Sequence, residues 1–146
     1  MSKYAYKKRK RTKAFRYYHR KINSKRLPHA IDPEDISRLL FVIKKIQDKA
    51  LILLLLRTGM RIGELLQTRI EDIKLKERKV LIPESEKNGI GRVVYYSDDA
   101  QKALKAWLKK RESFQDYLFY GKRRDFLSYS NVHATFKKYL EKAELC

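Results

Sequence analysis

The stretch "ALILLLLRTGMRIGELLQTRIEDIKL", residues 50–75, sets the architecture. It opens on seven consecutive apolar residues, so residues 48–58 read as a short helix, apolar nearly all round and therefore central. Gly59 stands where a left-handed helix C-cap is needed. "RIGELLQT" then continues as a further helical turn or two. At "DIKL" the period changes to that of a strand. Arg57 and Arg61 thus emerge where the chain leaves a buried core, and Glu64 follows Arg61 by three residues on the same helix face.

Working outward, "LPHAIDPEDISRLL" opens a helix toward the N-terminus. Asp32 is placed as N-cap, Pro33 at the first helical position and Asp35 where a capping partner sits. Ile36, Leu39, Leu40, Ile43 and Ile46 recur at helical spacing, which predicts an amphipathic helix over 33–46. On the other side, "DIKL" and "KVLIP" flank the polar turn "KERK", and "RVVYY" is a third strand. Asn88-Gly89 and Gly91 mark the hairpin between the second and third. Ser97 with Asp98 and Asp99 starts a helix to about residue 111, whose inner stripe is Ala100, Ala103, Leu104 and Trp107. Ser128 or Ser130 caps a last helix with Val132, Phe136, Tyr139, Leu140 and Ala143 on its apolar face. The fold class is α+β, predominantly helical, with helices around a small three-stranded antiparallel sheet.

With 146 residues there is enough chain for one domain with a real core. The apolar run is far short of the roughly 20 residues that span a bilayer. No apolar stretch follows the basic N-terminus as it would in a secretory signal. The single cysteine, Cys146, leaves neither an internal disulfide framework nor a cysteine metal cluster. A soluble, cytoplasmic protein without membrane contact is expected.

The formal charge of +19 is unevenly spread. Residues 1–31 hold twelve Lys and Arg and no acid, the first being Asp32. Residues 1–26 therefore read as a basic tail, with Lys7, Lys8, Arg9, Lys10 and Arg11 as its densest run, and 27–146 as the folded part. Like charges in such a block repel one another until a polyanion neutralises them. Tyr4, Tyr6, Phe15, Tyr17 and Tyr18 are interleaved with these cations and suit packing on sugars or bases. A solubilising tail or an anionic-membrane contact is the alternative, but the segment has no amphipathic apolar face. Nucleic acid is the better partner, bound through counterion release.

Searches for other chemistry fail. His19, His29 and His133 are scattered, and none pairs with a carboxylate at ligand spacing, so no metal is expected. There is no phosphate-cradling glycine loop and no serine or cysteine on a nucleophile turn. What remains is Arg61 with Glu64, and Lys87 at the hairpin tip. A guanidinium at a helix start can present its planar fork to a phosphate while packing holds it from behind. Lys87 is a flexible cation able to reach into a groove or deliver a proton. The plainer reading of each is an exposed i,i+3 ion pair and one more surface lysine.

The ordered run "LLLLLRTGMRIGELLQTRIEDIKL", then "SEKNGIGR" and "VVYY", resembles the catalytic domain of the tyrosine recombinases, the phage integrase family. The likeness extends from about Leu27 to Leu145. Members cut one DNA strand by attack of a tyrosine on a phosphodiester and rejoin it to a new partner, with neither metal nor other cofactor. By this resemblance Arg61 is the first catalytic arginine, clamping the scissile phosphate against charge that builds at the transition state. Glu64 is the acid that supports it, and Lys87 the hairpin lysine that protonates the leaving 5′-oxygen. Arg92 falls at a basic position that contacts the DNA backbone, and Arg57 faces DNA beside Arg61. The family's second half carries a His-x-x-Arg motif, a further His or Trp and the tyrosine. Here His19, His29 and His133 are followed at that offset by Ile22, Asp32 and Phe136. Tyr139, spaced with Phe136 and Ala143, reads as core.

The expectation is therefore a DNA-binding piece of a site-specific recombinase or integrase of a mobile element. It would be incomplete for cleavage alone, acting with other recombinase protomers or a complementing C-terminal fragment. A non-catalytic DNA-binding module that regulates or blocks a recombination site is the rival, and a basic RNA-binding protein a more distant one.

Overall fold

The computed structural model describes residues 31–83, 91–122 and 127–145. His19, His29, the tail cations Lys7 to Arg11, the Asn88-Gly89 turn and Lys87 lie outside them. Among the described residues five α-helices, one 3-10 turn and three strands follow in the order α1 (Pro33–Val42), α2 (Ile46–Thr58), α3 (Ile62–Leu66), the 3-10 turn (Ile70–Asp72), β1 (Ile73–Lys74), β2 (Lys79–Ile82), β3 (Arg92–Tyr95), α4 (Asp98–Lys110) and α5 (Tyr129–Lys142). The class is the one expected from the sequence, mostly helical with a three-stranded antiparallel sheet. No helix among the described residues is long and apolar enough to cross a membrane.

Helix α2 is the centre of the molecule. Ala50, Leu51, Ile52, Leu53 and Leu54 are all buried, so successive residues point inward on every side. That requires partners all round: α4 contributes Ala100, Leu104 and Trp107, and α5 contributes Val132 and Tyr139. Gly59 ends α2 in the left-handed region at φ 65°, and its N–H donates to the Leu55 carbonyl at 3.1 Å. A Cβ at this φ is strained even with open space around it.

The first helix departs from its expected extent. It stops at Val42, not 46, and α2 begins at Ile46, not 48. Ile43 is 2% exposed and plugs the corner between the two helices, while Lys45 takes an extended conformation as N-cap of α2. The i, i+3 spacing of Leu40, Ile43 and Ile46 runs on through this corner because all three still face the same core. Periodicity alone therefore reads it as one helix.

The sheet has the order β1-β2-β3, with Ile73 opposite Val80, Val80 opposite Val94 and Ile82 opposite Arg92. One face carries Ile73, Val80, Ile82 and Val94 onto the core. The turn from β1 to β2 places Arg78 at φ 52°, where its guanidinium pairs with Asp98 at 2.9 Å. Ser97 is at the N-cap of α4 as expected, but its hydroxyl bonds the Asp99 carboxylate rather than a backbone N–H. Of the two candidate serines, Ser128 is the cap of α5, accepting from the Asn131 N–H at 3.3 Å, and Ser130 lies inside the helix.

Residues 115–120, between α4 and α5, form a core segment without a regular element. Leu118 and Phe119 are fully buried. Its backbone groups find partners both near and far along the chain: Arg111 donates to the Gln115 and Tyr117 carbonyls, Trp107 Nε1 to the Leu118 carbonyl at 2.8 Å and Gln47 Nε2 to that of Tyr120 at 2.8 Å. The Leu118 N–H donates to the Thr68 carbonyl at 2.9 Å, and the Ile70 N–H to Asp116 at 2.9 Å. Buried irregular backbone survives only with this kind of satisfaction.

Candidate functional site

Three features position Arg61. The rigid end of α2 lies just before it, Gly59 reverses the chain, and Thr58 braces the turn. The Thr58 hydroxyl donates to the Leu54 carbonyl at 2.6 Å and accepts from the Met60 N–H at 3.2 Å. Met60, beside Arg61, is buried, with 4% of its surface exposed. Arg61 is then the N-cap of α3, with extended backbone. A guanidinium has no acceptor, so the helix start is satisfied from the other side: Glu64 Oε2 accepts the Arg61 N–H at 2.8 Å. Leu65 and Leu66, packed in the core, hold this short helix in place.

Glu64 does more than cap. The same Oε2 accepts from Arg92 Nη2 at 2.7 Å, while Oε1 lies 3.7 Å from Arg61 Nη1. The Glu64 side chain is 20% exposed, against 73% for Arg61 and 45% for Arg92. A half-sheltered carboxylate thus holds two guanidiniums that still face solvent. Arg92 comes from the first residue of β3, so Glu64 ties α3 to the sheet. One carboxylate cannot neutralise two cations, and most of their N–H donors remain for an external anion.

Arg61, Glu64 and Arg92, three of the residues singled out in the sequence, are therefore brought together. Lys87 and the tail cations lie outside the described residues. Arg57 is placed differently. Its Nη2 and Nε both donate to Asp99 Oδ2, at 2.7 and 3.0 Å, joining the end of α2 to the start of α4. Burial alone would raise the Asp99 carboxyl. The bonds from Arg57, Ser97 and the Ala100 amide outweigh that and hold it below the ordinary carboxylate value. Asp99 was legible only as a helix-start residue; nothing in a separation of 42 residues marks it as the partner of Arg57.

Tyr139 is 8% exposed and donates to Asp48 Oδ2 at 2.6 Å. Burial, then the hydrogen bond and charge of Asp48, push its ionisation well above the ordinary value. A tyrosine so held is a poor nucleophile, as expected for a core residue. A folded-state value above the unfolded one adds stability that is complete below about pH 10 and lost as pH rises toward the folded value. Wild-type protein should accordingly lose stability in denaturant titrations above pH 10, and Tyr139→Phe should flatten that alkaline limb. An unchanged limb would place the titrating group elsewhere.

Comparison with known proteins adds the family. The profile described as the phage integrase family matches residues 29–146. The chain belongs to that family. XerA, a tyrosine recombinase of Pyrococcus horikoshii, is 34% identical over 124 residues, which are 83% of this chain and 43% of that protein. XerC of Psychromonas ingrahamii is 29% identical over 123 residues, 79% of this chain and 40% of that one. A crystal structure of XerA recombinase superposes with a TM-score of 0.75 at 26% identity, covering 82% of this chain and 44% of the other. The fold is also that of XerH site-specific recombinase bound to its difH substrate, with a TM-score of 0.68 at 24% identity. This integrase-family chain thus spans less than half the length of the relatives it matches, as part of a tyrosine recombinase catalytic domain.

Proposed function

We propose that this chain binds duplex DNA as part of a site-specific recombinase, with Arg61 and Arg92 gripping backbone phosphate and Glu64 setting their spacing. The observation that carries this is the shared carboxylate: Glu64 reaches both guanidiniums and the backbone of Arg61. Such a joint orients two planar forks without cancelling their charge. Residues 27–146 serve as a partial catalytic domain and residues 1–26 as a DNA-contacting tail led by Lys7 to Arg11. Lys87 assists the leaving 5′-oxygen when the rest of an active site is supplied by a complementing fragment or another protomer.

The tyrosine buried against Asp48 supports a second element of the reading: these residues do not cut DNA by themselves. On nicked suicide substrates the chain alone should give no covalent protein–DNA adduct, assayed by denaturing electrophoresis. An adduct at any tyrosine would overturn this. Duplex DNA should also out-compete structured RNA of equal charge; the reverse order would favour a general basic RNA-binding protein. Binding weakened uniformly across DNA sequences is expected for Arg61→Ala, because a phosphate contact positions without reading bases.

A further inference from the structure

A second surface, away from the Arg61–Glu64–Arg92 joint, has a different character. Helices α1 and α4 both flank α2 and leave between them a trough of about 740 Å³. Its apolar lining includes Leu40, Phe41, Ile46, Leu53 and Ala106, and its cations are Lys44, Lys49 and Lys102. The one acid in that lining is Asp99, already taken by Arg57 and Ser97. Phe41 is 76% exposed, and the Lys44 ammonium stands 4.6 Å over its ring.

We propose that this trough docks an amphipathic segment of a partner protein that carries carboxylates beside its apolar face. Lys44 and Lys49 have no carboxylate partner among the described residues, and Lys102 has the exposed Asp98 at 3.7 Å. Around an apolar floor they define the complement: apolar groups to fill the floor and anions to meet the rim. An exposed Phe at the edge of such a floor is the kind of side chain that anchors an interface. A phosphate backbone would satisfy the lysines but leave Phe41 and the floor uncovered, so protein is the better occupant. The proposal does not depend on the DNA-binding reading, since none of these residues belongs to the guanidinium joint.

The test uses the full chain and a labelled helical peptide with leucines at i, i+3, i+4 and i+7 flanked by glutamates. A scrambled peptide of the same composition measures what the basic tail captures by charge alone. Fluorescence anisotropy should show the amphipathic peptide binding roughly tenfold tighter than the scramble. Phe41→Ala, and separately Lys44→Glu with Lys102→Glu, should abolish that margin. Lys76→Glu with Lys137→Glu, an equal charge change on exposed residues elsewhere, should preserve it. All these positions are exposed, and circular dichroism confirms that each variant folds. Equal binding of the two peptides, or a margin that survives the Phe41 and lysine changes, overturns the proposal. So does a loss of duplex DNA affinity in the Lys44/Lys102 variant beyond that of the control pair, which would make the trough a nucleic-acid surface.

Discussion

Affinity of the chain for duplex DNA should fall roughly 10³–10⁵-fold between 50 and 200 mM salt, as expected when about 6–10 phosphates are engaged. The argument is one of charge placement. Twelve cations and no acid precede Asp32, so this stretch, with nothing of its own to neutralise them, should gain most from releasing condensed counterions. The folded part carries the remaining +7, and several of its 24 cations are already paired, as in Arg57–Asp99 and Arg78–Asp98. Deleting residues 1–26 should flatten the plot of log affinity against log salt while leaving the thermal melt of the folded part in place. An unchanged slope would mean that the tail makes no phosphate contacts.

Phe119→Ala should destabilise the fold by about 3–5 kcal/mol, the range for truncating a buried aromatic. Phe119 is fully buried, and its ring stacks near Trp107, with centroids 6.4 Å apart. Trp107 in turn donates to the Leu118 carbonyl, so the cavity would open beside a hydrogen bond that holds the 115–120 segment down. Phe114, five residues earlier, is 73% exposed and supplies the control: Phe114→Ala should change stability by no more than about 0.5 kcal/mol. Urea midpoints at constant m measure both. Equal small shifts would show that the segment is not part of the core.

This segment also shows where reading the sequence stops. Residues 50–66 were legible because an apolar run ending in glycine has few other folds, and the strands because their period is two. Residues 115–120 carry no period. They are held by Gln47 and Thr68, both distant in sequence, and by Trp107 and Arg111 at the end of α4, whose bonds to backbone carbonyls leave no periodic mark in the sequence. The corner at Ile43 was hidden for the opposite reason, since a false continuity of spacing passed through it. At the site, Arg61 and Glu64 stood out by their i,i+3 spacing, but the link from Glu64 to Arg92 spans 28 residues and needed the sheet to bring it about. Arg57 was legible as a cation leaving the core; its partner was not.

The most direct measurement is the DNA affinity of Glu64→Gln at fixed salt. Glutamine can still accept the Arg61 N–H at the start of α3, so the helix cap is kept. What it loses is the charge that draws Arg61 and Arg92 to one carboxylate. The variant is one unit more positive, so charge alone demands tighter binding. If the shared carboxylate organises the two guanidiniums for phosphate, Glu64→Gln should instead bind roughly tenfold more weakly, about 1.4 kcal/mol. Tighter binding by Glu64→Gln would contradict it.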